Sequence, residues 1–138
     1  MTGEYQHTLD AKGRLFIPAK LREKLGNPFY ITISIDDCLN AYSLEHWNAI
    51  KAKFDALPSA QARRMRQIFV NAACCEVDAQ GRILIPQKLR DFAGLKKNVT
   101  IVGVSNHAEI WDSDKWAAQQ AIELTKENIA AAIEELGF

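Results

Sequence analysis

Cysteine is scarce in this sequence: three residues, Cys38, Cys74 and Cys75, in a chain of 138. An odd number with two adjacent members gives no disulfide framework, because neighbouring cysteines bridge each other only under strain. No Cys-x-x-Cys or His-x-x-x-His spacing surrounds them, so they read as buried, inert strand residues, and no metal site is expected. Long apolar runs are missing as well, since nothing approaches the roughly 18 residues needed to cross a bilayer. The opening MTGEYQHTLD lacks the basic-then-apolar pattern of a secretion signal. A reduced cytoplasmic setting is therefore expected. No Gly-Lys-Ser/Thr follows either glycine turn, which removes the nucleotide phosphate loop. His7, His46 and His107 fall at non-equivalent positions, and no nucleophile signature surrounds any serine or cysteine. No catalytic residue, cofactor or small-molecule substrate is expected, and the chain reads as something other than an enzyme.

Net charge is absent too: 17 basic side chains balance 17 acidic ones. A neutral total speaks against a nucleic-acid partner, because such affinity comes largely from neutralising phosphates. The distribution speaks for one. From Asp10 to Gly26 there are five basic and two acidic side chains, and from Asp78 to Lys97 again five and two. Arg63, Arg64 and Arg66 form a third cluster, while Glu109 to Phe138 carries seven acids against two lysines. Positive charge is collected in three places and balanced by an acidic tail.

What the chain does have is a duplication. The segment DAKGRLFIPAKLREKLG (10 to 26) aligns without a gap to DAQGRILIPQKLRDFAG (78 to 94), with ten of seventeen positions identical. With one residue inserted, the similarity runs on to Trp47 and Trp116. Two repeats are too few for a solenoid, so the halves are expected to pack as a pseudo-twofold pair. The reading is an α+β protein built from a duplicated β-α-β-β unit: a first repeat over 1–47, connecting helices over 48–71, a second repeat over 72–116, and a C-terminal helical segment over 117–138.

Within each repeat a short strand enters a turn where Gly13 or Gly81 supplies positive φ. The unbroken apolar run after Arg14 or Arg82 predicts a strand buried on both faces. Pro18 or Pro86 opens a short helix that Gly26 or Gly94 stops, and a β-hairpin follows. Ser43 and Asp112 are candidate caps for the next helices, and Ser59 for the helix carrying the three arginines. Leu44, Trp47, Ile50, Phe54 and Leu57 form one apolar stripe, and Ile122, Ile129, Ile133 and Leu136 a weaker one. Both stripes fit core packing, or in part a neighbouring subunit.

The chemistry concentrates in a motif that occurs twice, Asp10-x-x-x-Arg14 around Gly13 and Asp78-x-x-x-Arg82 around Gly81. The aspartates fit loop bracing, accepting from turn N–H groups and pairing with the arginine. The guanidinium groups offer a rigid donor fork suited to phosphate or to guanine O6/N7. Lys20, Arg22, Lys88 and Arg90 recur on the short helices, where a solvated face and a DNA-contacting face are both compatible with the pattern.

These residues carry a resemblance. The doubled Asp-x-x-x-Arg-(apolar)-x-Ile-Pro followed by Lys-Leu-Arg, together with Glu109-Ile110-Trp111 and Trp116, resembles the MraZ family of bacterial regulators of the division and cell-wall gene cluster, over residues 4 to 116. The resemblance implies a swapped-hairpin β-barrel like that of AbrB and MazE with flanking helices, both hairpin units lying in one polypeptide. It implies a closed homo-oligomeric ring, nucleoid association, and binding to short G-containing direct repeats in double-stranded promoter DNA, usually to repress. Carried over by position, the DNA-contacting arginines fall on Arg14 and Arg82. Lys12 matches the loop tip of the first repeat, whereas the second has Gln80. The rival reading is an antitoxin-like partner-binding protein whose acidic C-terminal segment wraps a toxin.

Overall fold

The computed structural model describes residues 1–138. The first repeat runs through β1 (Glu4–Thr8), β2 (Arg14–Phe16), α1 (Ala19–Leu25), β3 (Phe29–Ile33) and β4 (Leu39–Ser43). Two linking helices, α2 (Leu44–Asp55) and α3 (Ser59–Val70), lead to the second repeat. That repeat comprises β5 (Ala73–Cys75), β6 (Arg82–Leu84), α4 (Gln87–Ala93), β7 (Asn98–Val104) and β8 (His107–Asp112), followed by α5 (Ser113–Glu123) and α6 (Lys126–Leu136).

Six strands form one antiparallel sheet in the order β1-β7-β8-β4-β3-β5. Each repeat gives away its first strand: β1 pairs with β7 of the second repeat, and β5 pairs with β3 of the first. The pseudo-twofold axis is visible in the registers. Asn40 faces Glu109 between β4 and β8, and Leu15 faces Ile83 between β2 and β6, each pair being equivalent positions of the two repeats. Strands β2 and β6 form a separate two-stranded ladder. Seventeen buried residues drawn from both repeats make the main core, with Leu15, Phe29, Ile31, Leu39, Ile85 and Val99 all at 0% exposure.

Four expectations are corrected here. The sheet is open rather than a closed barrel, with β1 and β5 at its edges. The three-residue strands β2 and β6 pair with each other, and only a single bridge, Leu9 to Leu15, ties β2 back towards β1. These two strands are also not buried on both faces: Leu15 and Ile83 are buried, while Leu84 is 58% exposed. The strand period of two turns alternate side chains to opposite faces, and the core lies on one side only. Ser59 is the first residue of α3, and Pro58 occupies the cap position with no side-chain cap. Finally, Cys74 is exposed although Cys38 and Cys75 are buried, because Cys74 and Cys75 are consecutive in β5 and must face opposite ways.

The helix starts follow local chemistry. The Ser43 hydroxyl accepts from the His46 amide at 3.2 Å, and the Asp112 carboxylate from the Lys115 amide at 3.4 Å. The C-terminal helical segment is built from two helices, because Thr125 caps a new start with its hydroxyl accepting from the Asn128 amide at 3.2 Å. Helix α2 packs through Trp47, stacked on Tyr30 with ring centroids 4.8 Å apart, and α3 joins it through Phe69, 4.3 Å from Phe54. Helix α6 has no buried residue. No helix is long and apolar enough to cross a membrane.

Candidate nucleic-acid interface

Both Asp-x-x-x-Arg segments fold into the same turn. Asp10 Oδ1 accepts from the Lys12 and Arg14 amides at 3.0 and 2.8 Å, and Asp10 Oδ2 accepts from Arg14 Nε at 2.7 Å. In the second repeat Asp78 Oδ1 accepts from the Gln80 and Arg82 amides, each at 2.9 Å, and Oδ2 from Arg82 Nε at 3.0 Å. The chain can close so tightly because Gly13 and Gly81 sit at φ 85° and 79°, a region that costs a side-chain-bearing residue a clash with its own backbone. The turns are also stitched across the axis. Ile17 N–H donates to Gly81 O and Ile85 N–H to Gly13 O, both at 2.9 Å.

Leu15 and Ile83 point into the core, so Arg14, Phe16, Arg82 and Leu84 share the outer face of the β2–β6 ribbon. The Arg14 and Arg82 side chains are 35% and 28% exposed. They converge: besides its own Asp78, Arg82 reaches Asp10 Oδ2 through Nη1 at 3.8 Å. Asp10 thus receives both arginines, whereas Asp78 receives only its own. Lys12 and Gln80 stand exposed at the two turn tips, and Lys20 and Lys88 are exposed on α1 and α4.

Arg22 and Arg90 are not free in the same way. Both are half-buried, and each donates through Nε to a backbone carbonyl of its own repeat, Arg22 to Ile17 O at 2.8 Å and Arg90 to Ile85 O at 2.9 Å. Their guanidinium groups then lie over the glycine of the opposite repeat. A methyl group built on Gly13 would stand 2.6 Å from the Arg90 guanidinium carbon, and one on Gly81 would stand 3.2 Å from that of Arg22 and 2.9 Å from the Phe16 ring. Phe16 is a participant that sequence reasoning passed over. Its ring lies 5.5 Å from the Arg22 guanidinium carbon and 5.0 Å from the His7 ring. Its aligned partner is Leu84, and the signal lay in the shared outward parity of positions 14, 16, 82 and 84.

The turn hydrogen bonds leave an electrostatic mark. The Arg14 amide, then the Arg14 side chain and the Lys12 amide, hold the Asp10 carboxyl at about 2 against an ordinary 3.8. Asp78 is lowered for the same reason, chiefly by the Arg82 amide. A carboxylate whose value falls on folding contributes stability that is full above its unfolded value and lost as pH falls through the folded one. We therefore expect Asp10→Asn to flatten the loss of stability between pH 3.8 and about 2, measured by urea unfolding at stepped pH. An unchanged slope would show that the turn does not hold the carboxylate. Burial pushes the Cys38 and Cys75 thiols up to about 12, which leaves them protonated and unreactive near neutrality. No group of three or more His, Cys, Asp or Glu side chains is placed to hold a metal ion.

A two-repeat α+β scaffold sets paired, carboxylate-oriented arginines on one outward ribbon, so the same surface motif is presented twice. Comparison with known proteins agrees with the repeat. The family described as "MraZ protein, putative antitoxin-like" matches twice, over residues 1–67 and 68–136. The chain is 50% identical over 140 residues to a protein named transcriptional regulator MraZ from Acetivibrio thermocellus, covering 99% of this chain and 98% of that one. A protein of the same name from Caldicellulosiruptor bescii is 45% identical over 142 residues, covering 100% and 99%. That of Ligilactobacillus salivarius is 50% identical over 119 residues, covering 84% and 83%. The chain belongs to the MraZ family.

Proposed function

We propose that this protein is a transcriptional regulator that binds double-stranded promoter DNA through Arg14 and Arg82 and represses from repeated elements upstream of a division and cell-wall gene cluster. The observation that carries this reading is the convergence of the two Asp-braced arginines on one partly exposed face. Because each Nε is occupied by its own repeat's aspartate, the Arg14 Nη groups and Arg82 Nη2 are left to meet a base edge, while Arg82 Nη1 lies 3.8 Å from Asp10 Oδ2. A guanidinium held in this way loses less rotamer freedom on contact than a free one. Guanine O6 and N7 are the acceptors whose spacing suits that fork. Lys12, Lys20 and Lys88, exposed around the ribbon, supply phosphate contacts that fix orientation and carry no sequence information.

A neutral protomer with few phosphate contacts binds DNA weakly, near the non-specific range of about 10⁻⁴ to 10⁻⁶ M. Assembly into a ring is the proposed remedy. Two features support association between copies. Helix α6 presents Ile129, Ile133 and Leu136, exposed by 44%, 36% and 73%, flanked by Glu127 and Glu134. Elsewhere on the chain, Ile33, Ile35, Tyr42, Ile50 and Ile68 line an apolar groove of about 380 Å³, beside the arginine-rich α3. An exposed apolar helix face and an apolar groove on the same chain suit a head-to-tail contact, the kind that closes into rings.

The test is an electrophoretic mobility shift with the chain's own upstream DNA against a scrambled duplex of equal length. A retarded band with the upstream duplex at protein concentrations that leave the scrambled one free is expected, and equal retardation of both would overturn the assignment. The exposed acidic α6 also suits the antitoxin-like reading. That reading predicts a stable complex with a small basic protein.

A further inference from the structure

Arg22 and Arg90 carry charge on α1 and α4, and charge of that kind is ordinarily assigned to phosphate contact. Their geometry argues otherwise. Each spends Nε on a backbone carbonyl of its own repeat and lays its guanidinium on the glycine of the opposite repeat's turn. We propose that Arg22 and Arg90 are positioning residues that hold the turn of the other repeat, so that each half of the molecule sets the aim of its partner's recognition arginine. The proposal rests on the DNA-binding reading for its consequence, though not for its structural test.

First, the absence of a Cβ at Gly13 and Gly81 is used twice: for the positive φ of the turn, and for the space the guanidinium occupies, since a methyl group at Gly13 would stand 2.6 Å from the Arg90 guanidinium carbon. Second, the planar guanidinium suits this seat because it can donate edge-on to Ile17 O or Ile85 O while its flat face covers a peptide, and it is weakly hydrated. A lysine keeps the charge and loses the plane. Third, the contact is reciprocal across the axis, alongside the Ile17-to-Gly81 and Ile85-to-Gly13 backbone hydrogen bonds at 2.9 Å. At this contact the two repeats are not identical. Arg22 is sandwiched with Phe16, 5.5 Å from its ring, whereas the equivalent of Phe16 in the second repeat is Leu84, so Arg90 relies on the glycine seat.

The structural test uses the full chain without DNA. Amide hydrogen exchange is measured for wild type, Arg22→Ala and Arg90→Ala. Arg22→Ala is expected to speed exchange at Gln80, Gly81 and Arg82, in the other repeat, and to leave Lys12, Gly13 and Arg14 unchanged; Arg90→Ala should do the reverse. Loosening of a variant's own turn, or of neither, overturns the proposal. The functional test adds the double variants Arg22→Ala/Arg90→Ala and Arg22→Lys/Arg90→Lys and a salt series. Loss of two phosphate contacts would lower the salt slope of log K by about 1.8 and leave the ratio of upstream to scrambled affinity intact. Loss of aim should instead reduce that ratio about tenfold with the slope unchanged, and lysine should fail to restore it. A reduced slope restored by lysine overturns the proposal. If wild type shows no preference between the duplexes, the DNA-binding reading fails while the crossed exchange pattern still decides the brace.

Discussion

Replacing Arg14 and Arg82 together by alanine is expected to bring affinity for the upstream duplex down to that for a scrambled one. A bidentate arginine–guanine contact discriminates by about 1–3 kcal/mol, so two such contacts correspond to a loss of roughly 30-fold to 10⁴-fold. The fold should survive, because both side chains lie on the outer face of the ribbon and partly exposed ion pairs contribute at most about 1 kcal/mol each. Thermal unfolding and size-exclusion profiles close to wild type would therefore accompany the lost mobility shift. Arginine-to-lysine substitution at the same positions separates charge from geometry. Lysine keeps the attraction to phosphate but cannot present two parallel donors while a third is tied to Asp10 or Asp78. Restoration of sequence preference by lysine would show that these positions act as point charges.

The second large effect concerns the number of DNA elements engaged at once. A probe with several copies of the bound element at native spacing is expected to bind on the order of 10²- to 10⁴-fold more tightly than a probe with one, because later contacts become intramolecular. Changing the spacing by half a helical turn should abolish the advantage, since the faces would point away from the protein. The link to assembly is tested with Ile133→Glu, which places a charge in the middle of the apolar face of α6. Light scattering should report smaller particles, and the multiple-element advantage should vanish while single-element binding stays. Equal binding of single and multiple probes by wild type would remove the avidity mechanism. A variant that stays assembled would place the subunit contact away from α6.

Much of the local structure was written in short-range pattern. Asp10 and Asp78 stand two and four residues before the amides they accept from, and that spacing is a property of the tight turn itself. The caps at Ser43 and Asp112 follow from the same kind of proximity. Misreadings arose where a neighbour in space overrode a pattern in sequence. The apolar run after Arg82 predicts burial on both faces, yet Leu84 is exposed because only one layer of core lies beneath the ribbon. Cys74 and Cys75 share a composition signal but are separated by strand parity. Ser59 resembles a cap, but Pro58 holds that position and its fixed φ starts the helix without a side-chain bond.

The family, the duplication, the α+β class, the turn chemistry and the gathering of positive charge were determined by the sequence alone, because each depends on residues within a few positions of one another or on two segments compared directly. Only the tertiary structure decided that β1 and β5 change places between the repeats, that the sheet stays open, and that Arg22 and Arg90 reach the opposite turn. Backbone hydrogen-bonding groups are the same in every strand, so the choice of partner depends on which arrangement buries Leu15, Ile83 and the rest of the shared core together. That is a property of the whole chain, and no local window contains it.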